Sequence, residues 1–105
     1  EIRVLGWSPV STDFSARFSC KTRLYRYFFV RRKRNVEKMS EALQMMVGQH
    51  DFRNFCKMDV EKVYNFERNI QKAHIIAPET NKPEDMCYVE ILGNAFLWHQ
   101  IRCIV

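Results

Sequence analysis

The sequence has few residues that interrupt regular structure and none of the short motifs that mark common catalytic sites. Its 105 residues include three glycines and three prolines, without an internal repeat, a low-complexity segment or a flexible linker. It contains no glycine-rich phosphate loop, no G-x-S-x-G turn and no helical H-E-x-x-H motif. A chain of this length forms one domain or a piece of one, and we find no convincing nucleophile in it.

Long apolar runs and paired cysteines are also absent. The first twenty residues include four charged side chains and no apolar stretch of the length that a signal peptide or a membrane helix needs. The four cysteines lie far apart without a C-x-x-C pair, which favours reduced thiols and argues against a zinc site. We therefore expect an intracellular protein, cytoplasmic and/or nuclear, that is soluble, binds no metal and has no membrane partner.

Acidic residues are outnumbered by basic ones. Lysine and arginine total 17 against 12 aspartates and glutamates, which gives a net charge of +5. Hydrophobic residues make up 47% and charged residues 28% of the chain, the balance of a folded globular protein rather than a disordered one. The basic excess is compatible with nucleic acid or another anionic partner and does not by itself establish one.

The middle of the chain has the pattern of an amphipathic helix. Apolar residues recur at helical spacing between Val36 and Val47, with charged residues between them. Asn35 is a suitable N-cap and Gly48 a suitable terminator. The segment HDFRNF at 50–55 then predicts a compact turn.

Four segments have the pattern of β-strands. They are residues 2–10, a longer stretch that begins near Phe14, and residues 68–77 and 86–92, which favour an antiparallel pair. A second helix is predicted after Asn94, and its lack of a C-terminal cap is typical of a piece of a longer protein. The order β-β-α-β-β-α predicts an α+β fold, with a mostly antiparallel sheet, helices on one face and the other face open.

The run RFSCKTRLYRYFFVRRKR at 17–34 interleaves cations with aromatic residues, and a strand period of two divides most of it into two faces. The first face is mostly apolar, is expected to build the core, and carries Phe18, Cys20, Thr22, Leu24, Phe28 and Val30. The second face is basic and carries Arg17, Ser19, Lys21, Arg23, Tyr25 and Tyr27. Arg26 falls on the apolar face, which indicates either a β-bulge or an anionic partner.

Two side chains are candidates for binding a base or an anion. Tyr25 offers a flat ring among cations, which suits an unstacked base, although a packing aromatic at the sheet surface is an equal alternative. Arg102 lies among apolar residues and needs a carboxylate or phosphate, for which a structural ion pair with Glu67 or Glu90 is the alternative. His99 lies one turn earlier on the same predicted helix face and could donate to the same anion.

Four ordered blocks resemble the TruA-type tRNA pseudouridine synthase family. They are DFSARFSCKTRLYRYFF at 13–29, GQHDFRNF at 48–55, ERNIQKAHI at 67–75 and EILGNAFLWHQIR at 90–102. The segment FCKMD at 55–59 is most similar to the eukaryotic branch that modifies positions 38/39 in the tRNA anticodon arm, with the bacterial branch as the alternative. The resemblance implies an enzyme that isomerises uridine to pseudouridine without cofactor or metal, with tRNA as its partner.

The resemblance also implies roles for individual residues. Tyr25 matches the family tyrosine that stacks against the flipped target base, and Arg102 matches the arginine that pairs with the catalytic aspartate. Arg17, Lys21 and Arg23 share the predicted face of Tyr25, and we expect them to contact the RNA.

The family's catalytic aspartate lies in an Arg-Thr-Asp-x-Gly turn that precedes these blocks, and no such turn occurs in this sequence. Asp13 lacks the preceding arginine and the following glycine, so it is rejected as the nucleophile. We expect residues 1–105 to be the C-terminal part of the catalytic domain, inactive alone, within a full-length protein that forms a homodimer. The alternative function is a non-catalytic RNA-binding module with a basic aromatic sheet face.

Overall fold

The computed structural model describes residues 1–59 and 61–105, and its main feature is a four-stranded sheet. The elements in chain order are β1 (Arg23–Val30), α1 (Val36–Gln44), β2 (Gly48–Asp51), a 3-10 turn (Arg53–Phe55), β3 (Glu67–Ile76), β4 (Met86–Gly93) and α2 (Gln100–Ile104). All neighbouring strands are antiparallel, in the order β1-β4-β3-β2. The predicted α+β class is confirmed. Neither helix of the described part is long and apolar enough to cross a membrane.

The hydrophobic core lies between one face of the sheet and the two helices. The central strands β3 and β4 contribute fully buried side chains, and α1 and the segment before α2 cover them. The buried cluster includes Leu43, Ile70, Ala73, Val89, Ile91 and Leu97. Burial of each large aliphatic side chain stabilises the fold by about 1.5–3 kcal/mol, so the two central strands anchor the sheet.

Helix α1 begins where the sequence predicts. The Oδ1 atom of Asn35 accepts a hydrogen bond from the backbone N–H of Lys38 at 2.9 Å, which is an N-cap. The helix ends at Gln44, however, before the glycine that was expected to terminate it. Gly48, with φ of +107°, instead opens β2, and β2 pairs with β3. The predicted compact turn at 50–55 is therefore wrong in its first residues, which belong to a strand.

The two faces of β1 are reversed relative to the prediction. Tyr25 lies opposite Ile91 and Tyr27 opposite Val89, and directly opposed residues share a face of the sheet. Ile91 and Val89 are buried, so the tyrosines lie on the helix-covered side. Phe28, which was expected in the core, is 58% exposed on the open face. The composition of β1 alone did not decide its buried face, because that depends on where the helices pack.

Arg26 lies on the open face with an anionic partner. Its Nε donates to Oε2 of Glu90 on the neighbouring strand at 2.7 Å, and this hydrogen bond raises the pKa of Arg26. Of the two predicted explanations, the anionic partner is the correct one. The irregularity in the sheet lies in β3, between Ile70 and Lys72.

The predicted strands near the start of the chain do not form. Residues 1–22 contain turns and no strand, and the long strand begins at Arg23 instead of near Phe14. The backbone N–H of Ser19 donates to the carbonyl of Ser15 at 2.7 Å, and its Oγ accepts from the Ser15 N–H at 3.1 Å. Such local side-chain bonds stabilise turns in competition with a strand.

The last helix begins later than the sequence predicts. Asn94 does not cap it, since its Oδ1 accepts from the N–H of the next residue, Ala95, at 2.8 Å. Residues 94–99 form a connecting segment, and α2 starts only at Gln100. This connection carries several side chains of the site described next.

Candidate functional site

An open cavity of about 650 Å³ lies beside β1, where the start of β3 and the segment leading into α2 approach that strand. Its aromatic lining comes from β1 and from the segment before α2, and consists of Tyr25, Tyr27, Phe96 and Trp98. Its lining also includes arginines, whereas no aspartate or glutamate of the described residues contributes. A cavity with flat rings, positive charge and no acid suits a ligand that is both planar and anionic.

Tyr25 lies in this cavity through its place on β1. Its ring meets that of Phe96 edge to face, with centroids 5.2 Å apart and an interplanar angle of 86°. The residue remains 45% exposed, so the contact with Phe96 orients the ring without covering it. An aromatic ring held in this way can stack against a base that enters the cavity.

Arg102 reaches the same cavity from α2. The residue is exposed, and none of the salt bridges formed by the described residues involves it. The two acids considered as structural partners bind elsewhere: Glu90 pairs with Arg26, and Glu67 accepts a hydrogen bond from Gln49 at 3.0 Å. The structural ion pair is therefore not formed, and the guanidinium is accessible to an anion in the cavity.

His99 occupies the position just before α2 and also lines the cavity. Its backbone is left-handed, with φ of 59°, a conformation uncommon outside glycine although histidine adopts it more readily than most residues. The ring lies 4.4 Å from that of Trp98, centroid to centroid. Residues held in this backbone region are often found at functional sites, and here the turn sets the direction in which α2 leaves the cavity.

The three predicted RNA contacts occupy different settings. Arg17 lines the cavity, with its guanidinium 5.2 Å from the ring of Phe18. Arg23 donates to the carbonyl of Asn94 at 3.0 Å and to that of Arg17 at 2.7 Å, so it joins the turn before β1 to the segment after β4. Lys21 is exposed and does not line the cavity. Contact with RNA stays a prediction for all three.

Asp13 lies outside the cavity, and its rejection as the nucleophile stays a prediction. A hydrogen bond from the Ser11 side chain, followed by one from its own backbone, lowers the pKa of the Asp13 carboxyl. The other aspartates, Asp51, Asp59 and Asp85, do not line the cavity either. The described residues thus form a cavity wall without a carboxylate.

Sequence reasoning overlooked several residues of this wall. Phe96 and Trp98 were assigned to a helix, and Arg68 and Gln100 were given no role. Gln100 carried a usable signal, as a neutral polar residue within the helix predicted at the end of the chain. Arg68 carried no signal beyond its charge, because its approach to β1 and α2 depends on the order of the strands.

Comparison with known proteins identifies the family to which this chain is similar. Residues 42–105 match the family described as tRNA pseudouridine synthase. The chain is 49% identical over 113 aligned residues to the tRNA pseudouridine(38/39) synthase of Bos taurus, covering all of this chain and 24% of the bovine protein. It is 45% identical to the protein of the same name from Saccharomyces cerevisiae, over 89% of this chain and 20% of the yeast protein.

An archaeal relative is also similar to this chain, at lower sequence identity. The tRNA pseudouridine synthase A of Archaeoglobus fulgidus is 33% identical over the whole of this chain and 37% of its own length. The chain therefore spans between a fifth and a quarter of the eukaryotic relatives and somewhat more than a third of the archaeal one.

Proposed function

Because this chain belongs to the tRNA pseudouridine synthase family, we propose that the protein containing it isomerises uridine to pseudouridine in the anticodon arm of tRNA. The names of its relatives support position 38 or 39 as the target. The observation that carries the proposal is the cavity itself, which brings Tyr25 and Arg102 together although they come from the first strand and the last helix.

The reaction breaks the bond between N1 of uracil and C1′ of the ribose, turns the base, and forms a bond from C5 to C1′. The proton on C5 is released and N1 regains a proton, so that the overall change is an isomerisation. In this proposal Tyr25 stacks against the base after it leaves the helix stack, and Arg102 pairs with the catalytic aspartate. That aspartate is supplied from outside the 105 residues, since no acid of the described part lines the cavity.

The proposal includes tRNA as the macromolecular partner and a cytoplasmic and/or nuclear location, where tRNA is made and used. It also includes a homodimer of the full-length protein. The open face of the sheet supports the homodimer, because Leu24, Phe28 and Met86 are each more than half exposed there, at 51%, 58% and 56%. Neighbouring exposed apolar residues of this kind are typical of interaction surfaces.

Release of tritium tests the reaction directly. The natural protein that contains these 105 residues would be incubated with anticodon-arm RNA carrying uridine tritiated at C5. We expect tritium to appear in water with the natural protein and with RNA that has uridine at position 38 or 39. The isolated 105-residue chain and the Arg102→Gln variant of the natural protein should release none.

Two outcomes would contradict the proposal. Binding of the RNA by the natural protein without tritium release would favour the alternative of a non-catalytic RNA-binding module. Release by the isolated chain would show that a nucleophile lies within the 105 residues. Circular dichroism of the Arg102→Gln variant would establish that its loss of activity does not come from unfolding.

A further inference from the structure

Two buried side-chain nitrogens stand out in the described part of the chain because they donate to no protein acceptor. They are Nε of Arg68 and Nε2 of Gln100. Leaving a buried donor unpaired costs about 1–3 kcal/mol, and more when the group is charged. Both residues line the cavity that holds Tyr25 and Arg102, so the two residues belong to one site.

Arg68 is held in place by its own backbone surroundings. Its terminal Nη1 donates to the carbonyls of Asn65 at 3.2 Å and Glu67 at 2.6 Å. No carboxylate balances its charge within residues 1–59 and 61–105, and the adjacent Glu67 side chain is bonded to Gln49. A fixed guanidinium without an acid is suited to an anionic oxygen.

Gln100 is fixed just as firmly by its other side-chain atom. It is 1% exposed, and its Oε1 accepts a hydrogen bond from the backbone N–H of Leu97 at 2.8 Å. This bond closes the turn into α2 and determines the orientation of the amide group. The Nε2 atom is consequently a donor with no protein partner in the described part of the chain.

We infer that Arg68 and Gln100 form a phosphate subsite in this cavity, which binds a backbone phosphate of the nucleotide that stacks on Tyr25. The inference rests on the proposed function for the identity of the RNA and goes beyond it in naming the two donors. A phosphate provides negative charge for the guanidinium and acceptor oxygens for both groups. It also suits the lining of the cavity, in which Arg17 adds further positive charge.

A neutral acceptor, such as a uracil carbonyl oxygen, is the competing ligand. The salt dependence of binding separates the two, because each phosphate neutralised on single-stranded RNA contributes about 0.7 to the slope of log Kd against log salt concentration. A hydrogen bond to a base carbonyl contributes no such increment.

The test uses the natural protein containing these residues and an anticodon-arm RNA that already carries pseudouridine, so that no turnover occurs during titration. Arg68→Gln should weaken binding about tenfold or more, as expected for a hydrogen bond to a charged group, and reduce the slope by about 0.7. Arg32→Gln is the matched control, since Arg32 is exposed and lies outside the cavity. It should leave the slope unchanged.

Gln100→Glu tests the second donor while keeping the turn. A glutamate retains an oxygen for the Leu97 N–H and replaces the donor with a second oxygen that repels phosphate. We expect weaker RNA binding together with a lower melting temperature in the absence of RNA, because the new carboxylate is desolvated at a position that is 1% exposed. Gln100→Leu, which removes the bond to Leu97 as well, would show the effect of losing the turn.

Three results would overturn the inference. An Arg68→Gln variant with natural affinity and slope would show that the unpaired nitrogen has no RNA ligand. Weakened binding with an unchanged slope would assign a neutral acceptor, and unchanged binding by Gln100→Glu would remove that residue from the subsite. Failure of tritium release by the natural protein contradicts the proposed function alone, since the slopes are measured without turnover.

Discussion

At the scale of single residues, Tyr25 combines two properties that conflict in most strands. Its ring is positioned by an edge contact with Phe96, yet almost half of the residue is accessible to solvent. The partial exposure fits a surface that is completed when a base lies on it.

The ring of Tyr25, more than its hydroxyl, should determine RNA affinity. Base stacking contributes about 1–3 kcal/mol per base, so Tyr25→Ala should weaken binding of anticodon-arm RNA by about 5- to 100-fold. Tyr25→Phe should bind nearly as well as the natural protein. Fluorescence anisotropy with labelled RNA measures both. Tyr64→Ala is the control, because Tyr64 is 96% exposed and lies outside the cavity.

Equal affinity of the Tyr25→Ala and Tyr25→Phe variants would contradict a stacking role. It would leave Tyr25 as a packing residue, the alternative that the sequence allowed.

At the scale of elements, strand β4 supports the site through its last residue. A Cβ atom added to Gly93 would lie 2.9 Å from Cζ of Phe96 and 3.0 Å from the carbonyl oxygen of Asn69. The second contact is with backbone and cannot be relieved by a rotamer change. Gly93 therefore lets the chain turn closely over β3 and lets Phe96 reach Tyr25.

Replacement of Gly93 by alanine should disturb both stability and binding. Overpacking of this kind costs about 1–3 kcal/mol, and the displaced Phe96 ring would no longer orient Tyr25. We expect a lower urea midpoint together with weaker RNA binding. Gly6→Ala provides the comparison, because no atom lies within 4 Å of the added Cβ at that position. Natural behaviour of Gly93→Ala in both measurements would refute this account of the close approach.

The loop between β3 and β4 depends on an ionised carboxylate. Oδ2 of Asp85 accepts hydrogen bonds from the Thr80 hydroxyl at 2.7 Å and from the Lys82 backbone N–H at 2.8 Å. The bond from Thr80, then that from the Lys82 backbone and the charges of Arg31 and Lys82, lower the pKa of Asp85 below its ordinary value of 3.8. Its contribution is complete above pH 3.8 and is lost as the pH falls through the lowered pKa.

Asp85→Asn should accordingly loosen this loop at neutral pH. Hydrogen exchange measured by mass spectrometry should be faster in residues 77–85 of the variant at pH 7. The difference from the natural protein should shrink as the pH falls through the lowered pKa, because both side chains are then neutral. Glu84→Gln, one residue earlier, serves as the control. A difference that persists at the lowest pH would show that the charge of Asp85 is not what orders the loop.

Local sequence signals predicted those elements whose stability is local. The Asn35 cap, the amphipathic α1 and the pairing of β3 with β4 followed from spacing and turn residues. The buried face of β1 and the late start of α2 did not, since both depend on contacts between distant segments. Tyr25 and Arg102 were candidates from their residue types and neighbours, and the resemblance to a family gave them specific roles. Arg68 could be placed in the site only once the order of the strands was known.

At the scale of the whole molecule, the open sheet face is where we place the second copy in the proposed homodimer. Phe28 and Leu24 lie there beside Arg26 and Glu90, so a two-fold partner could bring apolar residues and opposite charges together. Other segments of a longer chain are the competing occupants of this face.

A charged residue in this face should separate the subunits of the proposed dimer. We expect Phe28→Lys to shift the natural protein from dimer to monomer in sedimentation velocity, because a lysine at the interface would be desolvated without a partner. Phe18→Lys should leave the dimer intact, since Phe18 is also exposed, at 80%, but precedes the sheet. A monomeric natural protein, or a dimeric Phe28→Lys variant, would contradict the proposed interface.

The strand order β1-β4-β3-β2 also has a consequence for how the protein is made. On the ribosome, β1 is synthesised before the other strands, while β4, with which it pairs, is synthesised last among them. Contacts between such distant segments form slowly, so β1 stays unpaired while α1 and β3 can already pack together. The cavity is complete only after β4 and α2 have been synthesised. A nascent chain that is cut short before β4 would therefore expose Tyr25 and its neighbouring aromatic residues to chaperones, without completing the cavity in which we propose that RNA binds.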